Sequence, residues 1–453
     1  MDGWDRISRA ALVALAVGLG WGIRGDFGHL LGAAYPGAAL ALAFAYVTGQ
    51  DCMFRRMPIL AALGAIGISL GGSMSYGILH GYAQSDTFIN YAYGFFTLFL
   101  QGGTWGLFGC ALIGLSLEKQ PLRWTEWLTG IAVCILSGAV FRFLVVSVLG
   151  FHVNPPRGDG SIAFTGAAIG VFAWLAWARK RSGLKAAVLG MVGFGLGMSA
   201  GRLLGNIANV AQINNVMPFT INHWNVMECS VGIIGGFVFA WGMLGRDFPA
   251  PVENTRFKVL SGLSIVYVLF LIPLLHRLTR VHDKRIGEWT KRIAEFGHAN
   301  PDGAVNSTLT LMTVVLGFAF VGTCVWLWLH YTNKSERAWV PVLWLSLTMV
   351  LFQNLFALFP YYPHESGRIN MHVVFWVFLG LMALHVFFRT HESDTEPDGE
   401  TEKSHWRRWL AIALAGYAIT VLAAGMVNGE QTMKSANTRW PLWSWTDGPF
   451  PGR

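Results

Sequence analysis

Three arginines, Arg24, Arg142 and Arg202, stand near the ends of long apolar stretches. A guanidinium stays charged at any accessible pH, and its planar fork fits a carboxylate or a phosphate, often bidentately. In hydrocarbon such a charge is expensive, so it faces a cavity, a partner or the interface. Polar neighbours accompany Arg24 and Arg202. Asp26 and His29 follow Arg24, Asn206 follows Arg202, and His223 and Glu228 open the next apolar run. His80 ends the third apolar stretch, and His364, Glu365, Arg368 and His372 form a later polar group. Two chemistries suit this set. The arginines, helped by Asn206 and by Asn214 and Asn215, suit a small anionic organic solute. A histidine beside a carboxylate, as with Asp26 and His29, suits proton transfer near neutral pH. The competing structural reading has each arginine snorkelling to lipid headgroups, its stem covering apolar surface.

Other chemistries lack their patterns. No G-x-G-x-x-G follows a strand, and no G-x-x-x-x-G-K-[ST] or H-E-x-x-H occurs. The His364-Glu365 to His372 spacing is not that of a familiar zinc site. No cofactor and no metal are therefore expected. Four of the five cysteines (Cys110, Cys134, Cys229 and Cys324) lie inside apolar runs without C-x-x-C pairing, which speaks against a disulfide framework.

The elements that must position these residues read as repeated helical hairpins. The Gly-rich stretch Leu189–Asn206 is the clearest first helix. A shift of 126 positions lays Leu63, Gly64, Gly67, Leu70, Gly71 and Ser73 on Leu189, Gly190, Gly193, Leu196, Gly197 and Ser199. The same shift carries Gly106 and Gly109 onto Gly232 and Gly235. A weaker offset of 60 puts Arg142 on Arg202 and Leu144 on Leu204. The first half then reads as tandem Gly-rich hairpins whose first helix ends in Arg24, Arg142 or Arg202, or once in Tyr76.

Composition sets the solvent. With 53 % apolar residues, 13 % charged ones and a mean hydropathy of +0.46, the chain cannot cover a water-facing surface. Apolar runs of about twenty residues, the length a bilayer requires, recur throughout. The fold class expected is all-α, a polytopic integral membrane protein with thirteen spans near 8–25, 28–49, 58–81, 90–116, 128–150, 162–178, 186–208, 224–244, 259–276, 307–330, 339–359, 371–388 and 409–426. Two regions are read: residues 1–258 as four hairpin repeats, and 259–453 as a second helical region. The second has an amphipathic surface helix near 277–298 and a polar linker near 390–406. The net charge of +8 is spread over short loops, which fits contact with membrane lipids and not with nucleic acid.

Lysine and arginine alternate between connections in a way that puts the N-terminus in the cytoplasm of a bacterial inner membrane. Connections 82–89 and 209–223 hold neither residue, whereas Arg179, Lys180, Arg181 and Lys185 crowd one inner turn. The loop 277–306, with six cations, breaks the pattern. On this topology Arg24, Asp26, His29, His80, Arg142, Arg202, Asn206, His223, Glu228, His364 and Arg368 share the outer third of the bilayer, one outward-facing vestibule. The leading reading is a secondary transporter for a carboxylated or phosphorylated solute. The alternatives are a membrane-embedded transferase acting on a lipid-linked or glycan substrate, and a non-catalytic assembly subunit.

Overall fold

The computed structural model describes residues 3–72, 74, 76–155, 157–213, 222–361, 371–389 and 406–428. The regular structure of the described residues is helical throughout. In order the helices are α1 (Gly3–Phe27), α2 (Ala34–Thr48), α3 (Asp51–Gly71), α4 (Gly77–Ala83), α5 (Phe88–Ser116), α6 (Trp124–Arg142), α7 (Gly160–Trp177), α8 (Arg181–Ile213) and α9 (His223–Met243). The second region holds α10 (Thr255–Val266), α11 (Ile272–Arg280), α12 (Asp283–Glu295), α13 (Pro301–Tyr331), α14 (Trp339–Phe356), α15 (Met371–Arg389) and α16 (Trp406–Asn428). Between α10 and α11 the helix widens into a π-turn, Tyr267–Leu271, just before Pro273, whose missing N–H leaves the preceding turn one hydrogen bond short.

Among the described residues, eleven helical stretches are long and apolar enough to cross a membrane, the pattern of an integral membrane protein. Two of the thirteen expected spans, 28–49 and 409–426, correspond instead to the shorter apolar helices Ala34–Thr48 and Ala411–Val427. The reason is clear for α2. The turn after α1 consumes the residues between Phe27 and Ala34, leaving 15 helical residues. At about 1.5 Å per residue these reach roughly 22 Å, short of a hydrocarbon core of about 30 Å.

The first region is built on a tightly packed set, α1, α2, α3, α5, α8 and α9. Close approach depends on glycine. A Cβ placed on Gly37 of α2 would lie 2.1 Å from the carbonyl oxygen of Gly64 on α3, and one on Gly64 would lie 2.3 Å from the carbonyl oxygen of Gly37. The α6–α7 pair sits at the periphery. Leu128, Ile131, Ile135, Leu136 and Val140 of α6 are all exposed, as on a face that a bilayer would cover. The second region packs on the first through α14 and α15 against α1, α10 against α3 and α16 against α8. In α12, Trp289 and Ile293 are buried, with the Trp289 ring 5.5 Å from Phe356. Part of the apolar face of this amphipathic helix is thus turned onto the protein.

Three local features aim side chains into the bundle. α3 stops at Gly71 because the chain passes the α1–α2 turn there: a Cβ on Gly72 would lie 2.1 Å from the carbonyl oxygen of His29. This break lets Tyr76 turn towards α1. Gly71 itself leaves the space that the Trp105 indole fills, since a Cβ there would lie 1.6 Å from its ring. Finally, the Asn222 side chain caps α9 by accepting from the backbone N–H groups of Trp224 and Asn225, at 3.1 and 3.4 Å. That cap fixes the register of the helix that carries Glu228.

Candidate functional site

Arg24 lies in a buried polar cage. Its Nη2 donates to the Tyr76 hydroxyl at 2.5 Å and to Glu228 Oε1 at 2.7 Å, while Nη1 lies 3.2 Å from His29 Nδ1. The Tyr76 hydroxyl also donates to Glu228, at 3.4 Å. The guanidinium stands over the Trp105 ring, 4.9 Å from its centroid, and within 6 Å of the Trp21 and Tyr76 rings at 5.8 and 5.7 Å. Below it Trp21 packs against Trp105 and Phe194, with centroids 5.6 and 5.1 Å away. The cage therefore has an aromatic floor.

Arg202 is as deeply buried as Arg24, each 1 % exposed, but it is differently partnered. Its Nε donates to Asn206 Oδ1 at 2.7 Å, and Asn206 Nδ2 donates in turn to the carbonyl of Ala83 at 3.0 Å. Its Nη2 finds no hydrogen-bond partner among the described residues, nor does the guanidinium meet a carboxylate there. His80 is close enough to feel the charge of Arg202, of His223 and of Arg24. Its ring packs 4.7 Å from Trp224 and 5.2 Å from Tyr76, and neither ring nitrogen has a partner among the described residues. Gln101 stands one helical turn from Trp105 on α5, on the same face. It is buried with both amide atoms unpartnered.

A second polar group lies on the other side of Asp26. Gln353 Nε2 donates to the Asp26 carboxylate at 2.5 Å, and Gln353 Oε1 faces His372 Nδ1 at 2.8 Å. Arg280 donates twice to the backbone carbonyl of Asp26, at 3.1 and 3.0 Å. These bonds tie the α1–α2 turn to α11, α14 and α15.

The structure thus gathers Arg24, His29, His80, Arg202, Asn206, His223 and Glu228 at one end of the bundle, with Asp26 adjoining. It does not bring Arg142 there: that side chain is exposed on peripheral α6. A sequence offset fixes how far along a helix a residue falls, but not which way its helix is turned. His364 and Arg368, with Glu365, Asn214 and Asn215, lie outside the described residues. Gln101, Trp105 and Arg280 are members that sequence reasoning missed. For Gln101 a signal existed, because an amide in the middle of the apolar run Phe88–Ser116 is costly unless it has work or a partner.

No protein-family model, curated protein or solved structure matches this chain.

Electrostatics separates the two arginines. Arg24 and Glu228 form a buried, hydrogen-bonded pair. Arg202 keeps its charge without an acid among the described residues. Burial, together with Arg202, His223 and Arg24, pushes the pKa of His80 well below its ordinary value, so the imidazole is neutral. The same holds in the α1–α2 turn, where desolvation and the neighbouring Arg24 and Arg280 push His29 down to about 4. Among the described residues no three His, Cys, Asp or Glu side chains gather closely enough to hold a metal ion. The groups left without a hydrogen-bond partner among the described residues are Arg202 Nη2, both ring nitrogens of His80, which feels the charge of Arg202, and both amide atoms of Gln101 on α5.

Proposed function

We propose that this protein is a multi-pass inner-membrane permease that takes up a carboxylated or phosphorylated organic solute from the outer face, with Arg202 as its anion anchor. One observation carries the reading: a guanidinium that is 1 % exposed, with an unpartnered Nη2 and no carboxylate beside it among the described residues. A buried charge without a counter-charge is costly. A bound anion supplies what is missing. Glu228, held between Arg24 and Tyr76, is the group we assign to the coupling proton, because a solute entering beside Arg24 alters the field on that carboxylate.

The tandem-repeat reading belongs to the same proposal. It is supported by two helix crossings at the 126-residue offset. A Cβ on Gly67 would lie 2.6 Å from Gly109 Cα, and one on Gly193 would lie 3.2 Å from Gly235 Cα. The position of Tyr76 in the first copy is that of Arg202 in the second, and His80 stands between them, its ring 5.2 Å from Tyr76 and within the field of Arg202. Parallel repeats meeting around a polar centre are a recurring transporter plan.

One observation favours a second reading, a transferase acting from the outer face on a lipid-linked or glycan substrate. Beyond Trp21, Trp105 and Phe194 helices meet closely at glycines, as at Gly37 and Gly64 and at Gly106 and Gly190, packing that suits a one-sided site. Uptake decides between them. Purified protein is reconstituted into liposomes and radiolabelled gluconate, phosphoglycerate and glucuronate are offered. Uptake that exceeds empty liposomes and is lost in Arg202→Gln supports the permease. Binding in detergent without uptake sinks it in favour of the transferase.

A further inference from the structure

The atoms left unpartnered around Arg202 specify more than an anion, and this step rests on the anion-site reading above. We propose that the ligand of this pocket is a singly charged hydroxy acid. Charge counting gives the first half. Arg24 is paired with Glu228 at 2.7 Å, whereas Arg202 meets no carboxylate, so among the described residues one positive charge is left uncompensated. One carboxylate balances it. A dicarboxylate or a phosphate monoester would bury surplus negative charge, which is costly.

Hydrogen-bond counting gives the second half. The free positions on Arg202 are donors only. Gln101 stands beside the α5–α8 crossing, where a Cβ on Gly102 would lie 2.6 Å from Met198 Cβ, one helical turn before Arg202, and it has both Nε2 and Oε1 unpartnered among the described residues; His80 has two unpartnered ring nitrogens, one a donor and one an acceptor when neutral. A bare carboxylate has no proton to give to Gln101 Oε1 or to the acceptor nitrogen of His80. A hydroxyl donates and accepts at once, and so satisfies both ends of an amide or a neutral imidazole. An ammonium would also supply protons, but it would add like charge beside Arg202 and cancel the charge the ligand must bring. Hydroxy acids fit this inventory; amino acids, dicarboxylic acids and simple fatty acids each leave part of it unmet.

The test is a thermal-shift titration of the full-length protein purified in detergent, at constant ionic strength. The probes are lactate, threonate and gluconate, against butyrate (no hydroxyl), glucarate (two charges), sorbitol (no charge) and serine (zwitterion). A ligand that binds only the folded state raises Tm in a saturable way. At least one hydroxy monoacid is expected to do so, with the four controls inactive at the same concentration. In Arg202→Gln the shift disappears. Arg202→Lys, which keeps the charge without the fork, retains a weakened shift and shows that the loss is not misfolding. Gln101→Leu leaves an acceptor of the ligand unmet, so the concentration for half-maximal shift rises about tenfold or more.

If glucarate matches gluconate and both depend on Arg202, the single-charge argument is overturned while the anion site stands. If butyrate matches the hydroxy acids, the hydroxyl argument is overturned. If no anion of the panel shifts Tm in an Arg202-dependent way, the anion site itself falls, and this inference with it.

Discussion

Glu228 holds Arg24 in a buried pair, its Oε1 2.7 Å from Nη2. Removing its charge tests that role. Glu228→Gln leaves the Arg24 guanidinium buried with only Tyr76 and His29 beside it. Breaking one side of a buried pair costs about 3–5 kcal/mol. The Glu228→Gln Tm should fall sharply, and a second change, Arg24→Gln, should recover part of the loss. If the double variant is no better than the single one, the pair is not the unit described here. His29 provides a pH signature. Its folded pKa is about 4 and its unfolded value about 6.5, so between these values the unfolded chain binds the extra proton. The stability that depends on this group is present above pH 6.5 and is lost as pH falls towards 4. His29→Gln should flatten the Tm–pH profile across that window. Arg24 and Arg202 were legible in the sequence because a charge inside an apolar run stands out. Their partners were not: Tyr76 and Glu228 lie 52 and 204 residues from Arg24, and no local pattern encodes such a pairing. Arg142 looked equivalent by offset alone, yet α6 turns it away.

At the scale of helices, glycine sets the distances on which the cage depends. Gly71 admits the Trp105 indole, which in turn lies under the Arg24 guanidinium at 4.9 Å. Gly71→Ala forces that ring to move, because the new methyl would lie 1.6 Å from it. Over-packing of this kind costs about 1–3 kcal/mol. Gly37→Ala pushes α2 off α3 directly, backbone against methyl, and has less room to relax. The expected order in a denaturation or Tm series is wild type, Gly71→Ala, then Gly37→Ala, with tryptophan fluorescence altered chiefly in Gly71→Ala. Equal stability of all three would show that the helices are not held at these spacings. The sequence already showed Gly-rich helices and a recurrence in their spacing. It hid the break after α3, since the run 58–81 is apolar throughout and only the crossing of Gly72 over His29 ends the helix.

At the scale of the whole molecule, the cations of 277–306 are the open problem of topology. Positive charge usually stays on the cytoplasmic side, and this loop defies the alternation seen elsewhere. The fold supplies a reason. Arg280 is bonded to the Asp26 carbonyl, His276 Nε2 lies 3.0 Å from the Leu31 carbonyl, and Arg285 stands 5.6 Å from the Phe356 ring. Tertiary contacts at the end of the bundle that holds the α1–α2 turn therefore fix this segment, and longer connections obey the charge rule less strictly. The opposite end carries its own markers. Tyr331 donates to the Lys258 carbonyl, and Arg55 pairs with Glu253 at 2.9 Å. Single cysteines placed at Asp86, Lys284 and Glu336, all exposed, report the sides directly. With a membrane-impermeant maleimide applied to intact cells, Asp86→Cys and Lys284→Cys should label, whereas Glu336→Cys should label only after permeabilisation. Labelling of Lys284→Cys together with Glu336→Cys would contradict the crossing of α13, whose 31 residues lie between them. Reversal of all three would keep the fold and turn the Arg202 pocket to the cytoplasm, making the solute an export substrate.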